Sequence, residues 1–483
     1  MALNATEIFY SAYDSHASGL LPVYLVAALC VTSIVFYMHK RASHDFGPKA
    51  PLQNLASLNE KNKNRPHGAW TPLPPSVYTL PVPEVHPIAG GDVSQIDPIV
   101  YRPWKWNQYH ITMGLKNLNM SEWYEVDKQY PNYHRIRKHR VATRGQNAVR
   151  LLSAKEVGNG DVVQEGVCAQ AAVELLLSTA SFLAGRYPKT YMLSSDGRSI
   201  TIPLVNETYA LPAALWEGQG EKRSMRTVSR EDGEAALRTC ALLIQDDVAI
   251  MIEGSDGKYY FQGGAICVAG FWRMQDKIGR KLEEIHTSGN VPYYEEKMRA
   301  SMDRFFLKFP VDKPVTRNNY FLQIVQSKAS QATMKETYPS SGSTTIESQA
   351  MCGKVFDQDL KAVDPEELSW SDTTNGPEDV YRPGHAHQPP KDKPLIVTPE
   401  TLRMRTERQT LRRLPATGAI IFGIRTYVWE IEKIKEEMEE VDGKPESVAE
   451  RFASSIRAWP EQVRTYKGAT VYEDVLVPYL ESK

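Results

Sequence analysis

Residues 242–317 bring one imidazole, two adjacent phenols and a guanidinium close together: His286, Tyr293, Tyr294 and Arg317. A neutral imidazole is the commonest metal ligand and the usual proton shuttle. A phenol can orient a substrate or pass a proton, and a guanidinium can hold a carboxylate through two parallel hydrogen bonds. Each residue also has a plainer role: a satisfied core histidine, half-buried packing tyrosines, or a surface ion pair for Arg317. A second group lies farther on, where Arg405, Gln409 and Arg412 recur at a spacing that would place them on one helix face. They could cradle an anionic cofactor, or form an ion-pair network with Glu407. The basic run from 134 to 144, HRIRKHRVATR, could meet phosphate or anionic lipid, or be the solvated face of a helix. His134 is the reserve ligand there.

The elements that must position these groups are legible in outline. Residues 248–252 and 259–268 are apolar, β-branched and aromatic runs around Gly254-Ser255-Asp256-Gly257, which predicts an antiparallel hairpin. Met298, Met302, Phe305, Phe306 and Phe309 predict an amphipathic helix over 295–309 that packs on this hairpin. His286 and the tyrosines then fall where sheet meets helix. Residues 165–186 predict a core helix, and Ser229 with Asp232 a capping box opening another helix to about 244. An arginine-rich helix is expected up to Leu414, then a strand over 419–429. A charged helix carrying Ile431, Ile434, Met438 and Val441 follows, then a last helix over 446–459. Without a βαβ rhythm, the class is α+β around an antiparallel sheet.

Residues 19–38 are an uncharged apolar run long enough to cross a bilayer, followed at once by His39, Lys40 and Arg41. The positive-inside rule places residues 1–18 on the lumenal side and the rest in the cytosol. Residues 42–100 read as a Pro-rich tether, 101–326 with 394–480 as the folded domain, and 327–393 as a mobile polar insertion. The 57 basic and 58 acidic residues balance, which argues against a nucleic-acid partner. Five scattered cysteines without a CxxC pair fit a reduced compartment. Phosphate-loop, HExxH and GxSxG motifs are missing from the sequence.

Several segments together carry a family resemblance: EWYEVDKQY, ELLLSTASFLAGRYP, LIQDDVAIMIEG, FWRMQDKIGRKLEEIH before VPYY, PVTRNNYF and RTERQTLRRLPATGAIIFGIRTYV. Over roughly residues 101–479 the chain resembles the haem-dependent oxidative N-demethylase-like family, here as a eukaryotic, membrane-anchored member. The resemblance implies a PAS-like α+β haem domain that oxidatively demethylates a small secondary amine with dioxygen; for a membrane-tethered member a lipophilic metabolite is a further expected substrate. Electrons would come from a separate reductase, with the domain held on the cytosolic face of the endoplasmic reticulum. It also implies that His286 is the axial ligand to the haem iron and that Tyr294 and Arg317 line the substrate or oxygen side. The run from His286 to Tyr294 is two residues longer than the family's compact form, so Tyr293 is a candidate as well. A haem or small-ligand sensor without turnover is the alternative.

Overall fold

The computed structural model describes residues 52–81, 85–107, 112–153, 156, 160–218, 222–325, 369–380 and 395–482. The expected membrane span at 19–38, its lumenal tail and most of the 327–393 insertion lie outside the described residues. The core of the molecule is one seven-stranded antiparallel sheet built from β1 (Lys116–Asn117), β2 (Val149–Leu151), β3 (Asp246–Glu253), β4 (Tyr259–Ala265), β5 (Val315–Ile324), β6 (Leu402–Arg413) and β7 (Ile420–Glu430). Its order is β1-β5-β6-β7-β3-β4-β2. The hairpin of β3 and β4 forms as the sequence predicts, with Gly257 at φ +75° in the turn. All pairings within the sheet are antiparallel, so the expected α+β class holds.

The arginine-rich segment is not a helix. It is β6, a central strand paired on both sides and buried along its whole length. Arg, Glu, Gln, Leu and Met are good helix formers, but tertiary contacts override that preference. Strand parity puts Leu402, Met404, Thr406, Arg408, Thr410 and Arg412 on one face and Arg403, Arg405, Glu407, Gln409 and Leu411 on the other. Burying a cation is costly unless its donors find acceptors, and these acceptors come from distant parts of the chain. Arg408 Nε lies 2.8 Å from Glu125 Oε1, and Arg413 Nε donates to the carbonyl of Phe309 at 2.6 Å.

One face of the sheet is sealed by α3 (Val167–Arg186) and α4 (Arg230–Leu243), preceded in the chain by α1 (Leu52–Lys63) and α2 (Tyr130–Arg144). Helix α3 is apolar and long enough to cross a membrane, yet it is mostly buried in this layer. Glu174 on it accepts hydrogen bonds from the backbone of Ala416 (2.7 Å) and Thr417 (2.9 Å), tying down the β6–β7 turn. Ser229 caps α4 as expected, accepting from Asp232 N. Helix α2 corrects the expectation of an exposed basic face: His134, Arg137 and Arg140 are buried, and Arg137 pairs with Asp247 at 2.6 Å.

The other face packs against α5 (Leu282–Ser288), a π-turn at Tyr294–Met298 and α6 (Arg299–Lys308), whose Met298, Met302, Phe306 and Phe309 join Met251, Tyr259 and Phe261 in one cluster. Helices α7 (Val448–Arg457), α8 (Glu461–Lys467) and α9 (Ala469–Glu481) close the end of the sheet around Tyr320, Leu322 and Met404. The expected last helix is therefore followed by two more.

Three further expectations need correction. The charged helix stops at Glu436, and Met438–Val441 pairs with Lys444–Ser447 through Asp442 (φ +51°) and Gly443 (φ +74°), a strong hairpin signal. The tether is partly built into the domain: Leu73, Tyr78 and Val93 are buried, and Trp70 donates to Pro415 O at 3.0 Å. Within the insertion, Trp370, Ser371 and Thr374 are buried, and Gly270 N donates to Ser369 O at 2.8 Å.

Candidate functional site

Between the sheet and the α5–α6 layer lies a cavity of about 800 Å³, within the range of small-molecule and cofactor pockets, roughly 300–1,000 Å³. Its walls divide by chemistry. Ala249, Met251, Leu411, Phe422 and Ile424 from the strands and Met302, Phe305 and Phe306 from α6 line it, giving an apolar slot. Around the slot stand His286, Arg273, Lys277, Arg317, Glu407, Gln409 and Lys467.

Helix α5 aims His286 through a local hydrogen bond. Its Nδ1 lies 2.7 Å from Leu282 O, one turn back. A carbonyl only accepts, so Nδ1 carries the proton and Nε2 keeps its lone pair. The ring stacks on Tyr294 with centroids 4.8 Å apart and planes at 11°. Burial lowers its pKa to about 4, with Lys277 and Arg317 adding to that and the Leu282 carbonyl opposing it. The imidazole is therefore neutral at pH 7, the form that binds a metal ion.

Of the expected neighbours, Arg317 reaches the cavity wall and the two tyrosines do not. Tyr294 is 2% exposed and lies behind His286, its hydroxyl buried without a hydrogen-bond partner. It is a backing plate for the imidazole, which corrects the expectation that it lines the pocket. Tyr293 is half-buried at φ +55°, with Lys297 Nζ 4.8 Å from its ring centroid. The long stretch between His286 and Tyr294 is taken up by the positive φ of Asn290 and Tyr293 and by the π-turn that follows.

Arg405 and Arg412 do not reach the cavity either. Arg405 donates to Val268 O and to Thr426 Oγ1 (3.2 Å), and its guanidinium fills the space that a Cβ on Gly270 would need. Arg412 lies on the opposite face of the sheet, 4.1 Å over Trp123 and 3.0 Å from Tyr78 OH. Both are structural, and the expectation that they hold a cofactor falls with the helix that suggested it. His134 hydrogen-bonds Tyr209 OH at 2.7 Å and is not on the cavity wall, so it drops out as reserve ligand.

Sequence reasoning missed Lys277, Glu407 and Lys467. Lys467 Nζ donates to Tyr320 O at 2.7 Å and sits 4.0 Å from the Tyr320 ring centroid. Burial lowers its pKa to about 7, with Glu407 raising and Arg317 lowering it. Glu407, on the cavity face of β6, has its pKa raised by burial against the pull of Arg405. A lysine before a glycine reads as an ordinary helix-end cation, and nothing local marks it as buried.

Among the described residues no cluster of three His, Cys, Asp or Glu could cage a metal ion. His286 as a ligand thus calls for a metal that brings its other donors with it. A family model for haem-dependent oxidative N-demethylase, alpha subunit-like proteins matches residues 114–477. The chain belongs to this family. Haem is the cofactor of the haem-dependent oxidative N-demethylase, alpha subunit-like proteins, and the cavity residues fit it. The apolar slot suits a flat macrocycle, the neutral His286 offers one nitrogen, and the rim supplies cations for carboxylates. The oxidoreductase activity of the family calls for an electron donor and a small-molecule substrate.

Proposed function

We propose that this protein is a membrane-anchored, haem-dependent oxidoreductase that uses dioxygen to oxidise an amine or a lipophilic metabolite, in the manner of N-demethylation. The observation that carries the reading is His286, neutral and fixed with Nε2 as its acceptor nitrogen, on the wall of a cavity that is apolar in its body and cationic at its rim. Bound there, haem would supply an oxygen-binding, redox-active iron. The chain's own residues do the rest. Leu282 O keeps the proton on Nδ1, Tyr294 fixes the plane of the imidazole, and the apolar slot excludes water. Glu407 presents acceptor oxygens on the cavity wall to a substrate amine, and Arg317 and Lys467 bring donors to the same wall.

A PAS-like fold is supported by strand order: the five long strands, counted along the chain, lie 2-1-5-4-3 across the sheet. Residues 19–38, followed by Lys40 and Arg41, support a single anchor with the domain on the cytosolic side of the endoplasmic reticulum, where a separate reductase would feed it.

A sensor without turnover is favoured by one observation: residues 369–376, from the insertion, dock on Gly270, next to the cavity-lining Phe271. The full chain, loaded with haem and given reductant and secondary N-methylamines, separates the two. The enzyme reading expects dioxygen consumption matched by released formaldehyde. Oxygen binding with no product would sink it and leave the sensor.

A further inference from the structure

The polar rim has an imbalance that its own contacts do not resolve. Set back from solvent on the cavity wall, Arg102, Arg273, Lys277, Arg317 and Lys467 face only two carboxylates, Asp276 and Glu407. Most of these cations are engaged within the protein. Arg102 pairs with Glu437, Arg273 forks onto Asp276 at 2.7 and 2.6 Å, Lys467 donates to Tyr320 O, and Arg317 has a partner as well. Lys277 differs: among the described residues its ammonium has neither a hydrogen bond nor an ion pair, and Nζ lies 5.5 Å from the Trp272 ring centroid.

Its position is specific. A Cβ on Gly289, the residue that ends α5, would stand 3.5 Å from Lys277 Nζ. The ammonium is therefore beside the helix that carries His286, close enough to depress that imidazole's proton affinity. A partly desolvated ammonium without an acceptor is costly to keep. An acceptor that arrives with the ligand removes the cost.

We propose that Lys277 holds a carboxylate inside the cavity and that this carboxylate is a propionate of the haem. The inference rests on the cavity being the haem site. It assigns Lys277 to anchoring the haem that would bind there, through that carboxylate. A carboxylate on a substrate has the same chemistry, so the test carries an arm for each source.

The test uses the full chain in detergent, titrated with haem and with haem dimethyl ester, followed by the Soret band. The unaltered protein should prefer the free acid, and Lys277→Met, which keeps the aliphatic stem against Trp272, should shrink that preference by about tenfold or more. Lys277→Arg should restore most of it, and thermal melts of both variants check folding. A Lys277→Met protein with the same preference as the unaltered one overturns the propionate assignment. In the second arm the haem-loaded proteins are titrated with N-methylglycine and with dimethylamine. A loss confined to N-methylglycine would move the carboxylate to the substrate, and no loss in either arm removes the role of Lys277 altogether. If neither haem nor its ester binds the unaltered protein, the haem reading of the cavity fails first and takes this inference with it.

Discussion

The two faces of β6 are built from the same kinds of residue and do different work. On the sealed face, Arg408 and Arg412, with Arg425 of β7 beside them, are closed off under α3 and the Trp123 segment. Arg425 binds Asp127 at 2.7 Å between the rings of Tyr133 and Tyr427, Arg408 binds Glu125, and Arg412 lies over Trp123. On the cavity face, Glu407 and Gln409 line the cavity wall, as do Arg317 from β5 and Lys467 from α8. Charge that is walled in holds the fold together. Charge that borders a cavity stands within reach of a ligand, and the difference should appear in different responses to mutation.

The largest stability effect is expected on the sealed face. Asp127→Ala leaves Arg425 buried without its carboxylate and should cost about 3–5 kcal/mol in denaturant unfolding. A loss below about 1 kcal/mol would break the comparison, because exposed ion pairs give values of that size.

Next comes Asp246, fully buried on the same face, with neither carboxylate oxygen hydrogen-bonded among the described residues. Burial raises its pKa to about 7, against the opposing pull of Arg425 and Arg408. Between about pH 4 and 7 the folded protein keeps a proton that the unfolded chain has lost, so this residue makes stability fall as pH rises through that window. Asp246→Asn should remove the slope and gain on the order of 4 kcal/mol over the unaltered protein at pH 8 relative to pH 4. Parallel pH dependences of the two proteins would show that the carboxylate finds compensation inside.

The smallest stability effect belongs to the cavity face. Glu407→Gln keeps the shape and removes the charge, and it should move unfolding by less than about 1 kcal/mol in either direction. A loss as large as that of Asp127→Ala would mean that the two faces do the same work.

The parts of the fold that were legible are those with a local cause. The β3–β4 hairpin shows itself by its apolar runs and glycine turn, and α6 by the spacing of its methionines and phenylalanines. Strand β6 hid because its alternation sets Arg408 against Glu407 rather than polar against apolar, and the acceptors that permit such burial lie far away in sequence. The strap carrying Leu73 and Tyr78 hid because an extended Pro-rich segment can lie against a surface with no periodicity at all. At the site, residue type singles out His286 and Arg317, and both stand on the cavity wall. That Tyr294 backs the imidazole instead of facing the ligand depends on the turn at Asn290 and Tyr293, and Lys277 depends on which neighbours are already paired.

The central claim is that His286 offers Nε2 to iron in this cavity. Haem titration of the full chain, comparing the unaltered protein with His286→Ala and following the Soret band together with a thermal melt, tests it most directly. The account predicts tight uptake with the band of a histidine-bound haem, and in the variant a shifted or missing band that added imidazole brings back, with the haem-free melt nearly unchanged. An identical band in both proteins, or no uptake by either, would contradict it.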